Sequence, residues 1–141
     1  MRMQLGFPRQ FAPQKRAVAL ISRKNRRRIV NEKELVEALR EATGDSVKIG
    51  LIAFERLSFH KQVKLMEQVT VLIGMNGAGL INALYLHPEA VAIQLVPYES
   101  AVNYDEFGMI LKTRGPYLEW HNTHRANMVV QPGMQQPEHH H

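Results

Sequence analysis

Two short segments of this chain concentrate the residue types that bind anions. In the first, Gly74-Met-Asn-Gly-Ala-Gly-Leu80, three glycines follow directly on the apolar run Val69 to Ile73. Glycines there let the backbone turn sharply and approach a ligand with no Cβ in the way. If a helix opens after the turn, the N–H groups of Gly77, Ala78, Gly79 and Leu80 stand at its positive end, an arrangement suited to a diphosphate. The spacing is not specific in itself. It is neither the dinucleotide fingerprint nor a P-loop, which would end in Lys-Ser/Thr, and a plain tight strand-to-helix turn explains the glycines equally well.

The second segment carries Arg23, Lys24, Arg26, Arg27 and Arg28 after the apolar run Ala17 to Ile21. Such a run is most often a solvated surface. Its place at the end of a strand brings it to the sheet edge where the glycine turn also falls. A guanidinium fork grips phosphate oxygens bidentately where an ammonium offers only a point charge, so Arg23 and Arg28 are better candidates than Lys24.

Other chemistries find little support. The chain has no cysteine, which excludes thiolate metal sites and disulfides within it. His60, His87, His121 and His124 lack metal-ligand spacing. No Ser/His/Asp order suggests a nucleophile, and Glu55, Asp105, Glu106 and Glu119 read as surface charges, so no general base is visible. A net charge of +5 favours anionic partners without choosing among phosphate, nucleic acid, acidic glycan or membrane surface. No apolar run approaches the roughly 20 residues that span a bilayer, so no membrane insertion is expected of this segment.

The elements that would position these residues alternate in the manner of βαβ units around a parallel sheet. Strands are expected at Ala17 to Ile21, Val47 to Ile52, Val69 to Ile73 and Ala90 to Val96, with a short fifth at Tyr117 to Trp120 on the sheet edge. Asn31 opens a helix with Glu34 at the capping-box position, with Leu35, Ala38, Leu39 and Ala42 as its apolar stripe and Gly44 as its stop. Ser58 caps a second helix with Phe59, Val63 and Met66 on one face. Helical spacing at Leu80, Ala83, Leu84 and His87 ends at Pro88. A weaker helix covers Asn103 to Lys112, interrupted by Gly108.

With 141 residues and 45% hydrophobic composition the chain suits one domain of Rossmann-like α/β class. Its expected limits are 15–122, after an N-terminal extension at 1–14 and before a polar tail at 123–141. The three terminal histidines fit the remnant of a purification tag as readily as native residues and are set aside from the chemistry.

The combination Ser22-Arg23, Arg27-Arg28-Ile-Val-Asn31-Glu32, Phe59-x-x-Gln62 and Gly74-Met-Asn-Gly-Ala-Gly-Leu80 resembles the C-terminal half of glycosyltransferase family 61. It looks nearest to two branches, one that adds N-acetylglucosamine to O-linked mannose and one that adds it to hydroxyls of EGF-like protein domains, with Val96-Pro-Tyr98 and Trp120-x-Asn122 favouring the former. The resemblance implies a GT-B enzyme with two Rossmann-like domains facing a cleft, inverting and independent of a metal, working in the endoplasmic reticulum or Golgi lumen. It implies that this segment binds a UDP-sugar donor, UDP-GlcNAc by branch, with no further cofactor. The glycoprotein acceptor would be met through an N-terminal half absent from this chain. On that reading Ser22, Arg23, Arg28, Asn76, Gly77, Ala78, Gly79 and Gln94 line the donor site. Two positions depart from the family's pattern. Asn76 stands where His is usual, and Gln94 where Glu is usual; each amide can hydrogen-bond but carries no charge.

Two readings compete. A basic nucleic-acid-binding module is suggested by the charge, but only 7% of residues are aromatic and no stacking motif accompanies the basic loop. A non-catalytic remnant of the family is suggested by Asn76 and Gln94.

Overall fold

The computed structural model describes residues 16–23, 29–75, 78–98 and 104–124. They form a five-stranded sheet built from β1 (Arg16–Ile21), β2 (Val47–Ile52), β3 (Val71–Met75), β4 (Val91–Val96) and β5 (Tyr117–His121), in the order β2-β1-β3-β4-β5. All four ladders are parallel. The α/β Rossmann-like class follows. All five strands therefore end on one edge, and every link between them is a crossover carrying helical structure.

Helices α1 (Glu32–Thr43), α2 (Phe59–Met66) and α3 (Tyr104–Arg114) supply that cover, with a 3-10 segment over Ala78–Tyr85. One sheet face is closed by α2, the 3-10 segment and α3, whose Met66, Leu80, Ala83 and Leu111 are fully buried with Leu72 and Ala92 of the strands. The other face buries Val18, Leu20, Ile49 and Ile73 beneath Val36 of α1. On that face β5 sets Leu118 beside Ile93 and Trp120 beside Leu95, and both remain more than half exposed.

Several expectations hold in detail. Ser58 caps α2 by accepting from the Lys61 amide at 3.2 Å, and Gly44 ends α1 in the left-handed region at φ 71° while its N–H donates to the Arg40 carbonyl. Others need correction. Asn31 precedes α1 without a side-chain cap bond, and the buried stripe of that helix is rotated: Val36 is buried and Leu35 and Leu39 half-buried, while Ala38 and Ala42 are exposed. Phe59 points outward, 63% exposed, in edge-to-face contact with Tyr85 at 5.6 Å. Gln62 ties α2 down, its Nε2 donating to the carbonyls of Phe54 at 3.1 Å and Leu57 at 3.0 Å.

Gly108, expected to weaken α3, is what lets α3 lie close to β5. A Cβ there would sit 3.2 Å from the Tyr117 hydroxyl and 3.3 Å from Glu119 Oε2. At the end of α3, Arg114 reaches across the amino edge of the sheet. Its Nη1 donates to the carbonyls of Ala90 at 2.8 Å and Pro116 at 3.1 Å, and its Nη2 to that of His87 at 2.8 Å. Gly115 then turns at φ 152° against the Pro88 carbonyl.

Candidate functional site

In this strand order β1 leads by α1 to β2 on one side, and β3 leads to β4 and β5 on the other. The carboxyl ends of β1 and β3 therefore flank the point where the chain reverses its direction of growth, which is where open α/β sheets leave a crevice for ligands. Both segments singled out for anion chemistry begin there: Ser22 and Arg23 follow β1, and Ala78 and Gly79 open the 3-10 segment after β3.

One side chain joins the two ends. A Cβ on Gly74 would meet Ile21 Cδ1 at 2.7 Å, and one on Gly79 would meet Ile21 Cγ2 at 3.5 Å and Phe54 Cδ2 at 3.7 Å. Ile21, the last residue of β1, is thus packed against both glycines. Neither has positive φ; among the described glycines only Gly44 and Gly115 do. Gly74 is glycine because Ile21 occupies the space over it, a reason that spacing alone did not disclose.

The segment following the turn is a 3-10 helix rather than the α-helix its periodicity suggested. The Asn82 Nδ2 donates to the Gly79 carbonyl at 3.1 Å within it. The N–H groups of Ala78 and Gly79 precede the first intrahelical bond, so they have no partner inside the segment. At the end of β1, Ser22 and Arg23 are half-buried and the Ser22 amide donates to the Ile52 carbonyl at 2.8 Å, which pins the start of the basic loop to β2. Arg23 Nη1 is shielded from solvent and finds no hydrogen-bond partner among the described residues, and Glu32 Oε2, where the chain re-enters α1, is in the same condition. A buried guanidinium N–H without an acceptor is costly, and a ligand oxygen would satisfy it. Arg28, Asn76 and Gly77 lie outside the described residues, as does the side chain of Ala78.

Gln94, the remaining candidate, lies on β4 with no solvent exposure. Its Nε2 donates to the Tyr117 hydroxyl at 2.6 Å, and that hydroxyl in turn donates to Glu119 Oε2 at 2.5 Å. The second carboxylate oxygen, Oε1, lies 2.6 Å from His121 Nε2. The Tyr117 hydrogen bond holds the Glu119 carboxyl below the usual carboxylate range, against an opposing push from burial, with His121 and Lys112 adding to the lowering. Gln94 and Glu119 are register partners on adjacent strands. Glu119 is exposed, as its sequence context suggests, and the structure adds its partners. The signal that would have found the ladder is the alternation Tyr117-x-Glu119-x-His121, which places all three on one strand face.

Sequence similarity to known proteins identifies the family. The family model described as Glycosyltransferase 61 matches residues 3–93, more than half of the chain. This chain belongs to glycosyltransferase family 61. Among its relatives is the protein O-linked-mannose beta-1,4-N-acetylglucosaminyltransferase 2 of Takifugu rubripes, 33% identical over 130 residues, or 85% of this chain and 21% of that protein. Its namesakes in Xenopus laevis, 34% identical over 119 residues, and Mus musculus, 33% over 125 residues, each align with 82% of this chain and 20% of their own length. This family-61 chain therefore spans about a fifth of the relatives it matches. Among its described residues no helix is long and apolar enough to cross a membrane.

Proposed function

We propose that this chain is the donor-binding half of an inverting, metal-independent glycosyltransferase, and that it holds the diphosphate of a UDP-sugar in the crevice between β1 and β3. The observation that carries the proposal is the convergence of the two anion-suited segments on Ile21, with the unsatisfied Nη1 of Arg23 beginning one of them. The names of the relatives favour UDP-GlcNAc as donor and a protein-linked mannose as acceptor.

In this reading Arg23 and Arg28 neutralise the diphosphate while the N–H groups of Gly77, Ala78 and Gly79 donate to its oxygens. Both effects grow as the C1–oxygen bond breaks and charge accumulates on the departing UDP, so they lower the barrier rather than merely tighten binding. Ser22 and Asn76 contribute polar contacts at the rim. Gln94 acts from beneath the surface, by orienting Tyr117 and Glu119. The acceptor is met by the portion of the relatives that this chain does not span, and the compartment is the endoplasmic reticulum or Golgi lumen. The isolated chain binds UDP weakly and transfers no sugar.

Calorimetric titration of UDP into the wild type, Arg23→Ala and Arg28→Ala tests this. Losing a charge-assisted bond worth about 1.5–3 kcal/mol weakens binding about tenfold to a hundredfold. Unchanged affinity in Arg28→Ala removes that residue from the site, and binding of nucleic acid that UDP does not displace favours the basic-module reading instead.

A further inference from the structure

We propose that Glu119 and His121, at the carboxyl end of β5, form a hydroxyl-binding subsite that takes a vicinal diol of the nucleotide sugar whose diphosphate lies at β1 and β3. The inference rests on the donor reading above and extends it to residues that the sequence motifs do not include.

The two side chains sit where such a subsite is needed. His121 is the last residue of β5 and pairs with Val96, the last of β4, so both lie on the same carboxyl edge as Ser22 and Gly79. Glu119 faces α3, on the sheet side that also carries the 3-10 segment after the glycine turn. Adjacent strands lie about 4.8 Å apart, so β5 is about 10 Å from β3, a distance that the ring attached to a bound diphosphate helps to cover.

Their chemistry suits a diol. The Glu119 carboxylate is held by both oxygens, from Tyr117 on one and His121 on the other, so its orientation is set before any ligand arrives. A carboxylate offers about four acceptor positions, and these two bonds use half of them. Two hydroxyls on neighbouring carbons can donate to the rest. The side chains remain 27% exposed at Glu119 and 41% at His121, so the pair is rigid yet reachable. The fully buried Gln94 anchors the other end of the ladder through Tyr117, which makes Gln94 and Tyr117 positioning residues. A merely structural ladder has no need to end in a partly open carboxylate and imidazole at the carboxyl edge of the sheet.

A vicinal diol occurs both in the ribose and in the hexose of the donor, and the test separates them. UDP, 2′,3′-dideoxy-UDP and UDP-GlcNAc are titrated into the wild type, Glu119→Gln and His121→Gln, with Arg28→Ala as the diphosphate control and thermal unfolding as the check on folding. The proposal expects about a tenfold loss of affinity in Glu119→Gln. A loss for UDP and UDP-GlcNAc that vanishes with the dideoxy ligand assigns the ribose. A loss for UDP-GlcNAc alone assigns the hexose. Equal losses for all three ligands, or none in either variant while Arg28→Ala still weakens UDP, overturn the subsite and leave the donor reading standing. No binding of any ligand to the wild type overturns both. Should Glu119→Gln fail to fold, His121→Gln decides by the same pattern.

Discussion

Ile21 Cδ1 lies 2.7 Å from the point where a Cβ on Gly74 would stand, so the end of β1 fills the space that a side chain at Gly74, near the end of β3, would take. The same isoleucine touches the position of Gly79, beyond the turn. The junction of the two strand ends is therefore shaped by packing before any ligand contributes to it.

Gly74→Ala forces Ile21 to shift within a packed core, and overpacking of this kind costs about 1–3 kcal/mol. Gly79→Ala meets only ordinary contacts and is expected to cost much less. Because valine lacks the Cδ1 atom, Ile21→Val combined with Gly74→Ala should be less destabilised than the sum of the single changes. Urea denaturation of the four proteins measures the coupling, and strict additivity would refute the contact.

Arg114 donates to three carbonyls, those of His87, Ala90 and Pro116, and burial works against its charge. Replacing it with Met leaves those acceptors without their donor and should cost about 1.5–3 kcal/mol. Lysine cannot reproduce a planar fork, so Arg114→Lys should recover only part of the loss. Full recovery in thermal unfolding would show that charge, not geometry, matters at this corner.

Glu119 gives a pH prediction with a definite sign. Its carboxyl is held below its ordinary range in the folded chain, first of all by the Tyr117 hydroxyl, so the folded state binds a proton there less readily than the unfolded one. The stabilisation is fully present above the unfolded carboxyl pKa of about 4.3 and is lost as pH falls through the lower folded value. The stability difference between wild type and Glu119→Gln, followed by denaturation from neutral to acid pH, should narrow toward acid. A difference that widens on acidification contradicts the ladder.

The fold was legible because its signals are local. Short runs rich in apolar residues marked the parallel strands, Ser58 and Gly44 punctuated their helices, and Tyr117 opened the expected edge strand. What escaped notice depends on pairing distant in sequence. The reason for Gly74 is a side chain 53 positions earlier, and the reason for Gly108 is a hydroxyl on β5. The ladder from Gln94 to His121 exists only in the register of β4 against β5. The stripe of α1 differs from its sequence pattern for a related reason: its small residues, Ala38 and Ala42, fit exposed positions as well as buried ones, and only the sheet beneath decides. The segment after the glycine turn kept helical periodicity but wound more tightly, since apolar spacing barely separates the two helix types over two turns.

An architecture of four parallel ladders contains no hairpin, so no strand can zip directly onto its neighbour in sequence. Each pairing waits for a crossover to close, which makes folding slow and dominated by long-range contacts. The rim where β1, β3 and β5 end does not exist in any partly assembled half of the sheet. Competence to grip a ligand and completion of folding should therefore arrive as a single kinetic event.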